Sequence, residues 1–391
     1  MKKRILFIPS TLSGGVYYYR VFTPMKNLIE KYPDDFEITI NNTWKYTDVE
    51  KDEIGKNFDI VCFHQCLFTS SFQEEVWKMI IYCKKQYGTK FVLDIDDYWD
   101  YYNNHPAREA CVFNMFPEKM MMNFKLFDYV TTTTEYFKDI ISEYFPKDKI
   151  YVFENGISKY DEQFSIKKNK SDKLCIGLTG GSSHTEDIKQ LLEFPKYLTD
   201  KQLEEIELVF CGYDNKNAEN VVIDETGKVV DRQPLADKDN WWVQTENKFK
   251  QEVKHYKRIE TKDIMKGEFG KIYEDIDVLL VPLTNNKFNR CKSELKFIEA
   301  GFTNTAVISS KVIPYSNFGV NEEDCLFVKE ATPQAWAKAI KKILRDKDLL
   351  KKIKDINSLR VKYSRNLEDI TEKRYKFFSE IWNRFVLVLF C

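Results

Sequence analysis

Phe288-Asn289-Arg290-Cys291-Lys292-Ser293-Glu294-Leu295-Lys296-Phe297-Ile298-Glu299-Ala300-Gly301, followed by the apolar run 305–310, reads as a polar loop, a short helix and a strand. Ser293 is placed to cap the helix, and Arg290 and Lys292 stand just before it. The unpaired N–H groups of a first helical turn add partial positive charge. That combination suits a diphosphate. Glu299 lies about one and a half turns further on. Its neighbours Leu295, Phe297, Ile298 and Ala300 are apolar, so the carboxylate needs a partner. The vicinal hydroxyls of a ribose would supply one, because an ionised carboxylate accepts from both.

A chain of 391 residues is too long for one ordinary core and is expected to form two domains. Hydrophobic residues at 43% and aromatics at 15% support a large core and argue against disorder. With 60 basic and 61 acidic residues the net charge is −1, which removes any global pull toward nucleic acid or anionic lipid. The cysteines stand singly, and Cys62, Cys175 and Cys211 fall inside apolar runs, where a thiol behaves as a small hydrophobe. This usage implies a reducing, cytoplasmic setting, and Cys62 and Cys66 lack the partners of a zinc site. The N-terminus is too short in its apolar part for a signal peptide and reads as a first strand. With no run of 18 or more apolar residues, no membrane span is expected.

Outward from the opening stretch, strand-like runs alternate with helical ones. Strands are expected at 4–8, 36–40, 58–63, 90–93, 128–133 and 150–153, then at 174–178, 206–211, within 273–283, and at 324–328. Such alternation defines a doubly wound α/β fold, whose function gathers at the carboxyl ends of strands. Gly14 and Gly15 follow the first strand, and Gly180, Gly181 and Ser182 repeat that device after 174–178, with His184 able to donate to an oxygen. Small residues let backbone N–H groups reach a phosphate. Arg20 either contacts an anion or pairs with an acid of its own domain. Two strand ends draw attention, His64-Gln65 and Asp94-Ile95-Asp96-Asp97. Three acids within four residues repel one another, a cost tolerated for a ligand or for positioned cations. The segment 98–122, with Trp99, Tyr101, Tyr102, Phe113 and Phe116, is core, a lid or a stacking surface for an acceptor. Residues 158–173, with Lys167, Lys168 and Lys170, read as an interdomain linker. A hairpin is expected at 221–230 about Glu225-Thr226-Gly227-Lys228, and a last helix at 367–385, followed by a short apolar tail at 386–390.

These landmarks resemble GT-B glycosyltransferases, particularly those like glycosyltransferase family 4, over nearly the whole chain. In that family the helix carries an E-x7-E motif whose second Glu holds the donor ribose. Glu299 matches that Glu, and Cys291 stands at the first position. The Phe-Asn-Arg-x-Lys-Ser loop is similar to that of a subgroup in which Arg290 and Lys292 would replace the missing acid near the diphosphate. The resemblance implies two Rossmann-like domains facing across a cleft, over 1–165 and 166–365, with 366–391 a helix packing back on the first. It also implies a retaining, metal-independent hexosyltransferase. The donor would be a nucleoside diphosphate sugar such as UDP-glucose, used as a substrate and with no cofactor. The acceptor would be a hydroxyl of a glycan, a lipid-linked molecule or DNA.

On that resemblance Asp96, Asp97, Arg290 and Lys292 form the catalytic set. Donor binding falls to Gly14, Gly15, Gly180, Gly181, Ser182 and His184, together with Ser293 and Glu299, while Arg20, His64 and Trp99 lie on the acceptor side. Trp241-Trp242 and His255-Tyr256 belong to a region that helps bind the base in such proteins. Two rival readings remain. The same chemistry on 5-hydroxymethylpyrimidine bases of DNA suits the Lys-, Asn-, Ile- and Tyr-rich composition but not the neutral charge. A non-catalytic nucleotide-sugar-binding or scaffold subunit suits the loss of an acid at Cys291.

Overall fold

The continuous apolar runs become parallel strands covered on both faces by helices, the arrangement their lack of alternation requires. The computed structural model describes residues 2–211, 219–223 and 229–389. In the first domain β1 (Lys3–Ile8), β2 (Phe36–Ile40), β3 (Ile60–His64), β4 (Lys90–Asp94), β5 (Tyr129–Thr132) and β6 (Ile150–Val152) form one sheet, ordered β2-β1-β3-β4-β5-β6. The second domain opens with β7 (Leu174–Thr179) and β8 (Ile206–Cys211). The expected hairpin follows as β9 (Glu219–Ile223) and β10 (Val229–Pro234), an antiparallel ribbon whose turn lies outside the described residues. With β11 (Tyr256–Arg258), β12 (Val278–Val281), β13 (Ala306–Ser310) and β14 (Leu326–Val328), the second sheet is ordered β11-β8-β7-β12-β13-β14. In each sheet the strand order reverses beside the opening strand, β1 or β7, and a crevice opens there at the carboxyl ends.

Two separate cores confirm two domains. Leu6, Phe63, Phe91 and Val130 pack on Val76 and Ile80 of the helix Ser70–Tyr87. Ile176, Leu208, Leu280 and Ile308 pack on Trp336, Ile340 and Ile343 of the helix Pro333–Arg345. That helix starts where Thr332 accepts from the Ala335 N–H, with Pro at the first position. The last helix, Leu367–Leu389, returns to the first domain, where Ile370, Phe377, Phe378 and Ile381 join Ile5, Phe7 and Ile60. Among the described residues no helix is long and apolar enough to cross a membrane.

The two passages between domains touch. The Ile157 N–H donates to Arg365 O at 3.2 Å and the Leu367 N–H to Ile157 O at 3.1 Å. A Cβ on Gly156 would stand 2.6 Å from Ile370 Cδ1 and 2.9 Å from Arg365 O, so glycine is what lets the strands of chain meet. The polar stretch after this crossing connects the two sheets and is anchored rather than free. Lys168 Nζ donates to Tyr273 O, Ile276 O and Thr305 Oγ1 at 2.6–2.7 Å, and burial pushes its amine down to about 7. These three contacts pin the segment to the second domain.

Candidate active site between the domains

The carboxyl ends of β1, β4 and β6 face those of β7, β8 and β11 across a cavity of about 600 Å³. Its first-domain wall begins at Gly14, whose φ of +74° favours glycine. The chain then makes a π-helical turn, Tyr18–Phe22, which buries Tyr18, Tyr19 and Arg20. Arg20 grips Asp94 with two bonds, Nε to Oδ2 at 3.1 Å and Nη2 to Oδ1 at 2.5 Å, and donates from Nη1 to Phe153 O and Asn155 Oδ1. Of the two roles open to Arg20, pairing with an acid of its own domain is the one realised. It braces the cavity floor.

Beyond β4, Asp96 accepts from His64 Nε2 at 2.9 Å and Gln65 Nε2 at 3.0 Å. Burial alone would raise the Asp96 carboxyl, but His64, Arg20 and Gln65 outweigh it and hold it well below the carboxylate range. His64 is itself buried, with Nδ1 2.8 Å from Ser10 Oγ, and stands behind Asp96 rather than on the cavity wall. The expected acceptor-side contact is therefore indirect. Asp97 does line the cavity, 3.5 Å from Lys292 Nζ of the other domain. Burial raises its carboxyl, and Asp96 adds to the effect while Lys292 opposes it. Trp99, expected on the acceptor side, lies off the cavity wall. It packs on Tyr98, Phe124 and Phe137 in the core, because a bulky indole after this strand end finds more apolar area inward than toward the cleft.

On the second-domain wall, β7 ends at Thr179, and Gly180 and Gly181 lead to the 3₁₀ turn Ser182–His184; the Ser182 side chain lies outside the described residues. His184 lines the cavity with Nδ1 2.7 Å from Asp187 Oδ2. Asp187 is buried, and its Oδ1 also accepts from the Thr284 N–H and Asn289 Nδ2, tying the glycine loop to the Asn289 loop. A Cβ on Gly180 would lie 3.2 Å from His184 Cδ2.

The opening stretch folds as two helical pieces, Lys287–Arg290 and Leu295–Phe302. Asn286 caps the first, which leaves Arg290 on a half-buried turn with Nε 3.4 Å from Asn286 O and off the cavity wall. Ser293 does not cap the second. The Ncap is Glu294, no side chain caps it, and Ser293 Oγ instead accepts from Asn155 Nδ2 of the first domain at 2.8 Å. Lys292 and Ser293 nevertheless line the cavity. Cys291 is wholly buried beside Phe288, whose ring packs on Tyr101, Tyr102 and His105 of the first domain. The aromatic segment thus joins the domains.

Glu299 is buried at the cavity wall with three donors: Tyr19 to Oε1 at 3.0 Å, and Tyr273 and Lys296 to Oε2 at 2.6 and 3.0 Å. Tyr273 and Lys296 escaped sequence reasoning, although Lys296 sits one helical turn before Glu299. Thr261, Lys262 and Asp263 also line the cavity, whereas Trp242 is core. Their signal was positional: they follow the end of β11, where the strand rule places ligands. Among the described residues no three His, Cys, Asp or Glu side chains stand together as a metal site.

This architecture has known counterparts. HepE of Anabaena, solved with UDP and glucose, is 10% identical, with 97% of this chain covering 100% of that one at a TM-score of 0.61. Sucrose-phosphate synthase of Thermosynechococcus elongatus is 14% identical over 98% of this chain and 100% of its own, at 0.68. A glycosyltransferase of Rickettsia africae is 14% identical over 97% and 98%, at 0.64. At such identities the likeness establishes the fold. It is GT-B, two Rossmann-like domains facing across a cleft. No family model and no curated protein matches the chain.

Proposed function

We propose that the protein is a glycosyltransferase, similar to family 4, that moves a sugar from a nucleoside diphosphate donor to a hydroxyl acceptor with retention of configuration. One observation carries this reading. A single interdomain cavity gathers a buried carboxylate on the second-domain helix, a cation before that helix, two glycine turns and a pair of aspartates from the facing strand end. HepE is described with UDP and glucose on the same fold, which supports a uridine nucleotide as the donor.

In this reading the diphosphate lies between Lys292, the uncapped first turn of the helix Leu295–Phe302, and His184, which Asp187 orients. Charge that grows on the leaving diphosphate is met by groups already in place, and most of the rate comes from there. A diphosphate competes for Lys292 and releases Asp97, whose raised carboxyl then faces the acceptor hydroxyl. Asp96, kept ionised, orients the sugar. No metal or cofactor takes part; the nucleotide sugar is a substrate.

Incubation with UDP-glucose and related donors, alone and with glycan, lipid-linked and DNA acceptors, is expected to release UDP in an acceptor-dependent way. Lys292→Ala should lower kcat by about 100-fold, and Glu299→Ala should raise the donor KM by about tenfold. A folded protein that neither binds nor turns over any nucleotide sugar would sink the proposal.

A further inference from the structure

Three consecutive buried residues reach three different parts of the molecule. Tyr18 donates to Asp161 and accepts from Gln163 Nε2 at 2.7 Å, on the segment that joins the domains. Arg20 holds Asp94 and, through Asn155, touches Ser293. Tyr19 crosses the cavity to Glu299 Oε1. All three stand on the π-helical turn Tyr18–Phe22, where successive side chains point to different sides of the winding.

Counting acceptor sites on Glu299 sharpens the role of Tyr19. A carboxylate oxygen has two lone pairs. Among the described residues, Oε2 is filled by Tyr273 and Lys296, both of its own domain, whereas Oε1 accepts only from Tyr19 and keeps one site open. Seating both vicinal hydroxyls of a ribose therefore requires one donor to leave. Tyr19 is the one donor that belongs to the opposite wall, and it leaves with a shift of that wall. Burial, reinforced by Glu299, pushes its phenol far above the ordinary range, so it stays a hydrogen-bond donor at any working pH.

We propose that Tyr19 is a latch that competes with the donor ribose for Glu299, so that occupancy of the donor site and the relative position of the two domains are coupled through one hydroxyl. This rests on the reading of Glu299 as the ribose site. Because Arg20 is the next residue, release of Tyr19 is transmitted to Asp94 and to the Asn155–Ser293 bond, the floor beneath Asp96.

The test titrates the full chain, as wild type, Tyr19→Phe and Tyr273→Phe, with UDP and with 2′,3′-dideoxy-UDP. Tyr19→Phe should bind UDP about tenfold tighter and bind the dideoxy analogue unchanged, because that analogue has no hydroxyl to compete. Tyr273→Phe, which loses a donor that fixes Oε2 from within the domain, should bind UDP several-fold more weakly. A merely structural tyrosine would not give opposite signs. Weaker UDP binding by Tyr19→Phe, a shift shared by both ligands, or a tightening shared by Tyr273→Phe overturns the latch. If the wild type does not distinguish UDP from the dideoxy analogue, the ribose reading itself fails.

Discussion

Both domains open with the same device, a strand, a glycine pair and a helical turn, yet they use it differently. After Gly14 and Gly15 the side chains of Tyr18, Tyr19 and Arg20 are buried and bonded to protein. After Gly180 and Gly181 the His184 ring is tied at Nδ1 by Asp187 and stands on the cavity wall. A guanidinium taken out of water must satisfy its whole fork of donors, so Arg20 becomes part of the scaffold. An imidazole needs one acceptor to fix its orientation and keeps the other nitrogen for a ligand. A repeated glycine motif thus marks where a loop lies; the groups packed around it decide whether its polar atoms are available.

Breaking the scaffold side of this comparison should produce the largest effect. Arg20→Met leaves Asp94, 4% exposed, as a buried charge with the Thr131 hydroxyl as its one remaining side-chain donor among the described residues. The expected loss is about 3–5 kcal/mol in urea unfolding. Arg20→Lys should recover only part of it, because a point charge cannot reproduce the two-pronged contact with Asp94 and the bonds to Phe153 and Asn155. If Arg20→Met unfolds like wild type, the first loop is not the brace described here.

The ligand side should respond in affinity instead. His184→Ala is expected to lower UDP affinity about tenfold while unfolding changes by less than about 1 kcal/mol. The glycines separate the two loops in the same way. Gly180→Ala places a Cβ 3.2 Å from the His184 ring and displaces it by a few tenths of an ångström, weakening UDP binding several-fold at little cost in stability. Gly14→Ala meets no neighbour but forces φ = +74° on a side chain, which costs about 1–2 kcal/mol of stability. Equal behaviour of the two alanine variants in both assays would erase the distinction between the loops.

Much of this was legible in the residues themselves. The apolar runs located the strands to within a few positions, apart from the short edge strand β11 with its sequence Tyr-Lys-Arg, the glycine pairs located the two loops, and Glu299 declared itself as an acid among apolar neighbours. What stayed hidden depended on partners far along the chain. Ser293 has the chemistry of a cap, but its hydroxyl is taken by Asn155, 138 residues earlier. Arg290 stands beside Lys292 in sequence, yet Asn286 starts a separate turn that leads it off the wall. Lys168 sits in a charged stretch that reads as a linker, with no sign in the sequence of the three carbonyl and hydroxyl oxygens of the second domain that surround it. Local pattern states what a side chain can donate or accept. Which partner it meets is a property of the packed pair of domains.

The smallest expected effect tests whether His64, which links the loop after β1 to Asp96, acts through its charge. Burial lowers the pKa of His64 but Asp96 outweighs it, so the ring titrates above its ordinary 6.5 in the folded protein. Stability contributed by the charged ring is therefore complete below about pH 6.5 and is lost as the pH rises through the folded value. Asp96 behaves oppositely. Its carboxyl lies below the ordinary 3.8 despite burial, so its share is present above that pH and is lost as the solution becomes more acidic. The pair contributes most between about pH 4 and 6.5. The difference in unfolding free energy between wild type and His64→Gln should peak in that window and shrink toward pH 8. A difference that is flat with pH would mean that His64 stays neutral and holds Asp96 by hydrogen bonding alone. In that case Ser10 and His64 would set the geometry of the cavity floor without setting its charge.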